Sequence, residues 1–125
     1  MQQKVIIADD AQFMRVMLRD ILEDLDFTVV AEAASGEEAV TCYRDHRPDL
    51  VMLDITMPGM GGVTCCRQIL AEDPQARIIM VSALGQRDEV LAAMKSGARD
   101  FVVKPFEAER VEETLHRHLE PQAVG

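Results

Sequence analysis

Four points in this chain carry chemically capable residues at the end of a short apolar run. Val5-Ile6-Ile7-Ala8 is followed by Asp9-Asp10, and Leu50-Val51-Met52-Leu53 by Asp54. Ile78-Ile79-Met80-Val81 leads into Ser82, and Phe101-Val102-Val103 leads into Lys104-Pro105. Carboxylates, a hydroxyl and an amine are together the groups that hold a divalent cation and receive a phosphoryl group. Carboxylates gathered at one place repel by about 1 kcal/mol per pair at roughly 4 Å in water, and by more when partly buried. Such a cluster calls for a cation, and hard oxygen ligands open to water suit Mg²⁺. Each piece alone has a plainer reading: Asp9-Asp10 could cap a helix, and Lys104 could be a surface lysine with a buried stem. Their joint placement after four apolar runs favours a single site.

The elements behind these residues explain how they would meet. Apolar runs this short read as buried parallel strands covered by helices on both faces. An open parallel sheet binds ligands in the crevice outside the carboxyl ends of its strands. Strands are expected at about 4–9, 28–33, 49–54, 77–82 and 99–104, and helices at about 12–25, 36–46, 63–72, 86–95 and 107–119. Met14, Met17, Leu18, Ile21, Leu22 and Leu25 recur at helical spacing in the first helix. Ser35 followed by Glu38 forms a capping box for the second, and Gly97 suits the left-handed end of the fourth. Five βα units in one small domain give an α/β, doubly wound parallel sheet.

Composition sets the remaining bounds. A chain of 125 residues with 48% hydrophobic residues is one globular domain over 1–125, with a short tail at 120–125. The net charge of −9 argues against nucleic acid or an anionic membrane as a direct partner. Asp20, Glu23, Asp24 and Asp26 read as a solvated helix face. No apolar stretch reaches the roughly 18 residues of a membrane span, and Met1-Gln2-Gln3-Lys4 does not open a secretion signal. A cytoplasmic location is expected. The three cysteines form no CxxC pair, so Cys65 and Cys66 read as packing residues and not as a redox pair.

Asp9-Asp10, Asp54, Ser82 and Lys104-Pro105, in that order and spacing, resemble the receiver domain of two-component response regulators along the whole chain. The strings Asp9-Asp10-Ala11-Gln12-Phe13-Met14-Arg15, Asp54-Ile55-Thr56-Met57-Pro58 and Ser82-Ala83-Leu84-Gly85-Gln86 are similar to the chemotaxis, CheY-like type. The resemblance implies strand order 2-1-3-4-5, an order already known for that type. It implies that Asp54 is the nucleophile that accepts a phosphoryl group. Asp10, Asp54 and the Thr56 carbonyl would then bind Mg²⁺, with Asp9 acting through water. Mg²⁺ and Lys104 would supply positive charge to the phosphoryl oxygens, the Ser82 hydroxyl would donate to one of them, and the Lys104–Pro105 bond would be cis. Ser82 and the aromatic Phe101 would form the switch, with Pro105 beside them; alternatively Phe101 is simply strand core. Thr56 and Leu84 occupy the positions that tune dephosphorylation. Gln86, Lys95, Arg99 and Glu107 are candidate output contacts by position alone.

The same resemblance implies a CheA-like histidine kinase as phosphodonor, a flagellar motor switch protein as output partner and a separate phosphatase. The domain would be a phosphoacceptor that catalyses its own resetting, not an enzyme in the turnover sense. A haloacid-dehalogenase-type phosphatase uses similar groups, but its nucleophile comes first in the chain and its acidic pair last. A flavodoxin-like nucleotide binder needs a phosphate-cradling first loop, and the loop here is acidic and glycine-free. A receiver belonging to a larger, DNA-binding regulator is the remaining alternative to a stand-alone protein.

Overall fold

A computed structural model describes residues 3–119, so the expected tail at 120–125 lies outside the described residues. Strands β1 (Lys4–Ala8), β2 (Thr28–Ala33), β3 (Leu50–Asp54), β4 (Ile78–Ser82) and β5 (Asp100–Val103) alternate with five helices. These are α1 (Gln12–Asp24), α2 (Gly36–His46), α3 (Gly61–Glu72), α4 (Arg87–Ser96) and α5 (Ala108–Leu119). The strands form one parallel sheet in the order β2-β1-β3-β4-β5, the order the resemblance implied.

Alternation along the strands splits the core into two layers. Ala8, Val51, Leu53, Ile78 and Met80 pack with α2, α3 and α4 residues such as Val40, Cys65, Ile69 and Ala93. Val5, Ile7, Leu50, Met52, Ile79 and Val81 pack with Leu18 and Leu22 of α1 and with Val111 and Leu115 of α5. Each fully buried side chain of this size contributes roughly 1.5–3 kcal/mol. Cys65 and Cys66 are buried in the first layer, and burial pushes their thiols up to about 12 and about 11. They fill space, as their neighbouring positions suggested.

The local signals behave as physics requires. Glu38 N–H donates to Ser35 Oγ at 3.1 Å, while Glu38 Oε1 accepts from Ala34 N–H at 2.7 Å. The capping box therefore closes on a backbone N–H one residue upstream of its usual donor, that of Ser35. Ser35→Ala is expected to lower stability by about 1 kcal/mol in urea unfolding, with an unchanged slope. Gly97 ends α4 with φ 118°, as expected.

Two expectations need correction. Helix α3 starts at Gly61, two residues earlier than expected, although glycine is a poor helix former. The start is fixed by tertiary contact: Gly62 N–H donates to the Ile55 carbonyl at 2.8 Å, at the end of β3. The run Phe101-Val102-Val103 was expected to be wholly buried, but only Val102 is, and Phe101 is 40% exposed. β5 is an edge strand, so one of its sides lacks the neighbour that buries the central strands. That exposure rules out Phe101 as simple strand core in this conformation.

Candidate phosphoacceptor and metal site

Strand register delivers the predicted residues to one edge. Ala8 pairs with Leu53, so the residues that follow, Asp9 and Asp54, emerge side by side. Asp54 pairs with Val81, and Ser82 with Val103. Ser82 therefore stands one residue, roughly 3.3 Å, beyond Asp54, and Lys104 one residue beyond that. The Lys104 N–H donates to the Ser82 carbonyl at 2.8 Å, and the Lys104–Pro105 bond is cis.

From that outer position the lysine reaches back over the carboxylates. Its Nζ lies 2.9 Å from Asp9 Oδ2 and 3.3 Å from Asp54 Oδ2. Asp9 and Asp54 are buried, whereas Asp10 is exposed. Burial first, and the Asp9 charge second, push the Asp54 carboxyl up to about 6, against the pull of Lys104 and the Thr56 N–H. Burial works against the Lys104 ammonium too, but the hydrogen bond it donates to Asp9 and the charges of both carboxylates outweigh it and hold its pKa above the usual value. One ammonium does not fully compensate two buried carboxylates and a third nearby. Ligand oxygens of Asp9, Asp10 and Asp54 lie within 4.8 Å of one another. An all-oxygen donor set with excess negative charge and one solvent-facing member fits a hard divalent cation such as Mg²⁺.

Ser82 is buried beside this cluster, and its hydroxyl donates to the Ala83 carbonyl at 3.1 Å. Thr56 and Leu84 are exposed on the loops after β3 and β4, Leu84 at 82%. The Leu84 side chain is thus largely open to solvent in this conformation. Leu84, Phe101, Lys104, Pro105 and Val111 line a groove of about 400 Å³ that continues outward from the site.

Of the candidate output contacts, Lys95, Arg99 and Glu107 are exposed. Gln86 is not a free surface residue, because it is hydrogen-bonded into the loops of the site. Sequence reasoning also assigned no role to Arg15. Its guanidinium donates to the Asp9 carbonyl at 2.6 Å and to Glu32 Oε1 at 2.9 Å, anchoring the first acidic loop to β2. Arg19 joins the same glutamate at 2.5 Å. The available signal was an arginine pair at i, i+4 on α1 and the one charged residue, Glu32, of the second strand.

A family model for the response regulator receiver domain matches residues 5–116. The chain is a member of the response regulator receiver family. The receiver is 54% identical to the chemotaxis protein CheY of Listeria monocytogenes over 114 residues, 91% of this chain and 96% of that one. It superposes with a TM-score of 0.88 on a chain of the CheX–CheY–BeF₃–Mg²⁺ complex from Borrelia burgdorferi, at 40% identity, covering 92% and 87% of the two chains. It also superposes with a TM-score of 0.89 on NtrX from Brucella abortus at 30% identity, but there it spans only 27% of the longer chain. These likenesses make the receiver a chemotaxis-type response regulator. Among its described residues no helix is long and apolar enough to cross a membrane.

Proposed function

We propose that this receiver takes a phosphoryl group on Asp54 from a CheA-like histidine kinase and then binds a flagellar motor switch protein, as a stand-alone cytoplasmic protein. The observation that carries this reading is the pairing of Lys104 with both Asp9 and Asp54 at the strand ends, 2.9 and 3.3 Å away. A buried carboxylate able to act as nucleophile thus has a fixed positive charge beside it. The Asp54 oxygen forms a bond to phosphorus as the donor's phosphorus–nitrogen bond breaks, and the released imidazole takes a proton from water. Lys104 keeps Asp9 as one partner while its charge meets the incoming phosphoryl oxygens, and Ser82 turns its hydroxyl toward them. Asp10, Asp54 and the Thr56 carbonyl would hold Mg²⁺, with Asp9 beside them, and the bound cation would supply further positive charge. Water later attacks phosphorus, releasing inorganic phosphate and restoring the carboxylate. The domain is thus a self-resetting phosphoacceptor and not an enzyme of the turnover kind.

In this reading Ser82 and Phe101 form the switch, next to Pro105. Movement of Ser82 toward the phosphoryl group leaves room into which the exposed Phe101 ring swings, changing the surface made by α4, β5 and α5. The coverage of CheY relatives over nearly their full length supports a stand-alone carrier. The match to a small part of NtrX supports the alternative, a receiver within a larger regulator. Pull-down of purified motor switch protein, with and without beryllofluoride and Mg²⁺, separates them. Capture only with the phosphoryl mimic is expected; self-dimerisation without capture favours the larger regulator.

Resetting offers a second test. Leu84 has no group to hydrogen-bond an attacking water, so decay relies on a separate phosphatase. Leu84→Glu is expected to speed decay of the phosphorylated chain by roughly 3- to 10-fold, the effect of one hydrogen bond of about 1 kcal/mol. An unchanged decay constant would remove Leu84 from the account; Thr56 would then be the tuning position to vary.

A further inference from the structure

Gln86 ties the two loops at the mouth of the site to each other. Its Oε1 accepts from the Ala83 N–H at 2.7 Å, and its Nε2 donates to Thr56 Oγ1 at 2.6 Å. Thr56 lies two residues after Asp54, and Ala83 directly follows Ser82. Gln86 is also the N-cap residue of α4, yet its side chain makes no capping bond to the helix. Here the amide bridges the loops instead, and Ser82 Oγ is turned to the Ala83 carbonyl. The Ala83 N–H and the Ser82 hydroxyl are therefore both engaged away from Asp54.

We propose that Gln86 is a latch on the phosphoacceptor site. Its amide holds the loop from Ser82 to Gly85 in the unphosphorylated arrangement and must release the Ala83 N–H before that group can turn to a phosphoryl oxygen. A single N–H cannot serve both acceptors. A bond to an anionic phosphoryl oxygen is roughly twice as strong as one to a neutral amide oxygen, so phosphorylation favours release and its absence favours the latch. Gln86 is thus a positioning residue that sets how readily the site closes on phosphate, and this inference rests on the phosphoacceptor role of Asp54.

The test is beryllofluoride binding to the full chain with Mg²⁺, combined with hydrogen exchange of the Ala83 amide in the free protein. Gln86→Met keeps the length of the side chain without its hydrogen bonds, and Gln86→Ala serves as a second variant should Met repack the loop. Both are expected to bind beryllofluoride roughly five-fold more tightly than the unaltered chain, about 1 kcal/mol, and to lose Ala83 amide protection. Protection retained in both variants, or beryllofluoride affinity that is unchanged or weaker, would overturn the latch. Failure of the unaltered chain itself to bind beryllofluoride would instead overturn the phosphoacceptor reading beneath it.

Discussion

Asp54→Asn, in the absence of divalent cations, is expected to be more stable than the unaltered receiver by about 3 kcal/mol at about pH 8, while taking up no phosphoryl group. The gain follows from crowding. Burial and the neighbouring Asp9 carboxylate raise the Asp54 carboxyl from its ordinary 3.8 to about 6 in the folded chain. A folded-state pKa above the unfolded one means that the native protein binds this proton more tightly. Stability therefore falls as pH rises from about 4 to about 6 and stays lower above that range. Asparagine removes the charge and the penalty together, and Lys104 keeps its 2.9 Å partner Asp9. Urea unfolding should show the two proteins converging below about pH 4, where Asp54 is protonated in both states. Mg²⁺ should stabilise the unaltered chain more than the variant, because binding to the native state alone shifts the folding equilibrium. A less stable variant at high pH would mean that the lysine pairing outweighs the carboxylate repulsion.

Gly62→Ala is expected to lower stability by about 3 kcal/mol and to impair phosphorylation with it. A Cβ at this position would run into the Asp54 carbonyl oxygen and stand 2.7 Å from Ile55 Cα and 2.9 Å from the Asp54 carbonyl carbon. These are backbone atoms of the strand end that carries Asp54, so relief requires β3 and α3 to part. Gly85 is the control: it has φ +89°, and a Cβ there meets nothing within 4 Å. Gly85→Ala should cost only the left-handed strain of roughly 1–2 kcal/mol. Denaturant midpoints giving Gly62→Ala the smaller loss would contradict the close approach of α3 to the site.

Much of this geometry was legible in the residues because the sheet is parallel. Central strands buried on both faces must be continuous apolar runs, so their polar ends stand out, and parallel pairing puts those ends on one edge. That logic places Asp9, Asp54, Ser82 and Lys104 together from the sequence alone. It misread Phe101, because an apolar run does not reveal whether its strand lies in the middle of the sheet or at its border. The strand order itself came from resemblance, since periodicity carries no information on which strands are neighbours.

What stayed hidden were contacts between elements far apart in the chain. Gln86 meets Thr56 across 30 positions and Arg15 meets Glu32 across 17, and neither pair has a local pattern to betray it. Gly62 looked like a loop glycine because helix propensity is a local quantity, whereas its role is to let two backbones touch. Residues that carry the chemistry were visible at their strand ends. Those that hold them in place needed the fold.

Intact-mass and peptide mapping after incubation with phosphoramidate and Mg²⁺ tests the central claim most directly. One phosphoryl group located on Asp54, absent when Mg²⁺ is chelated and absent in Asp54→Asn, is the predicted result. A phosphoryl group on another residue, or uptake by Asp54 that is indifferent to Mg²⁺, would contradict it.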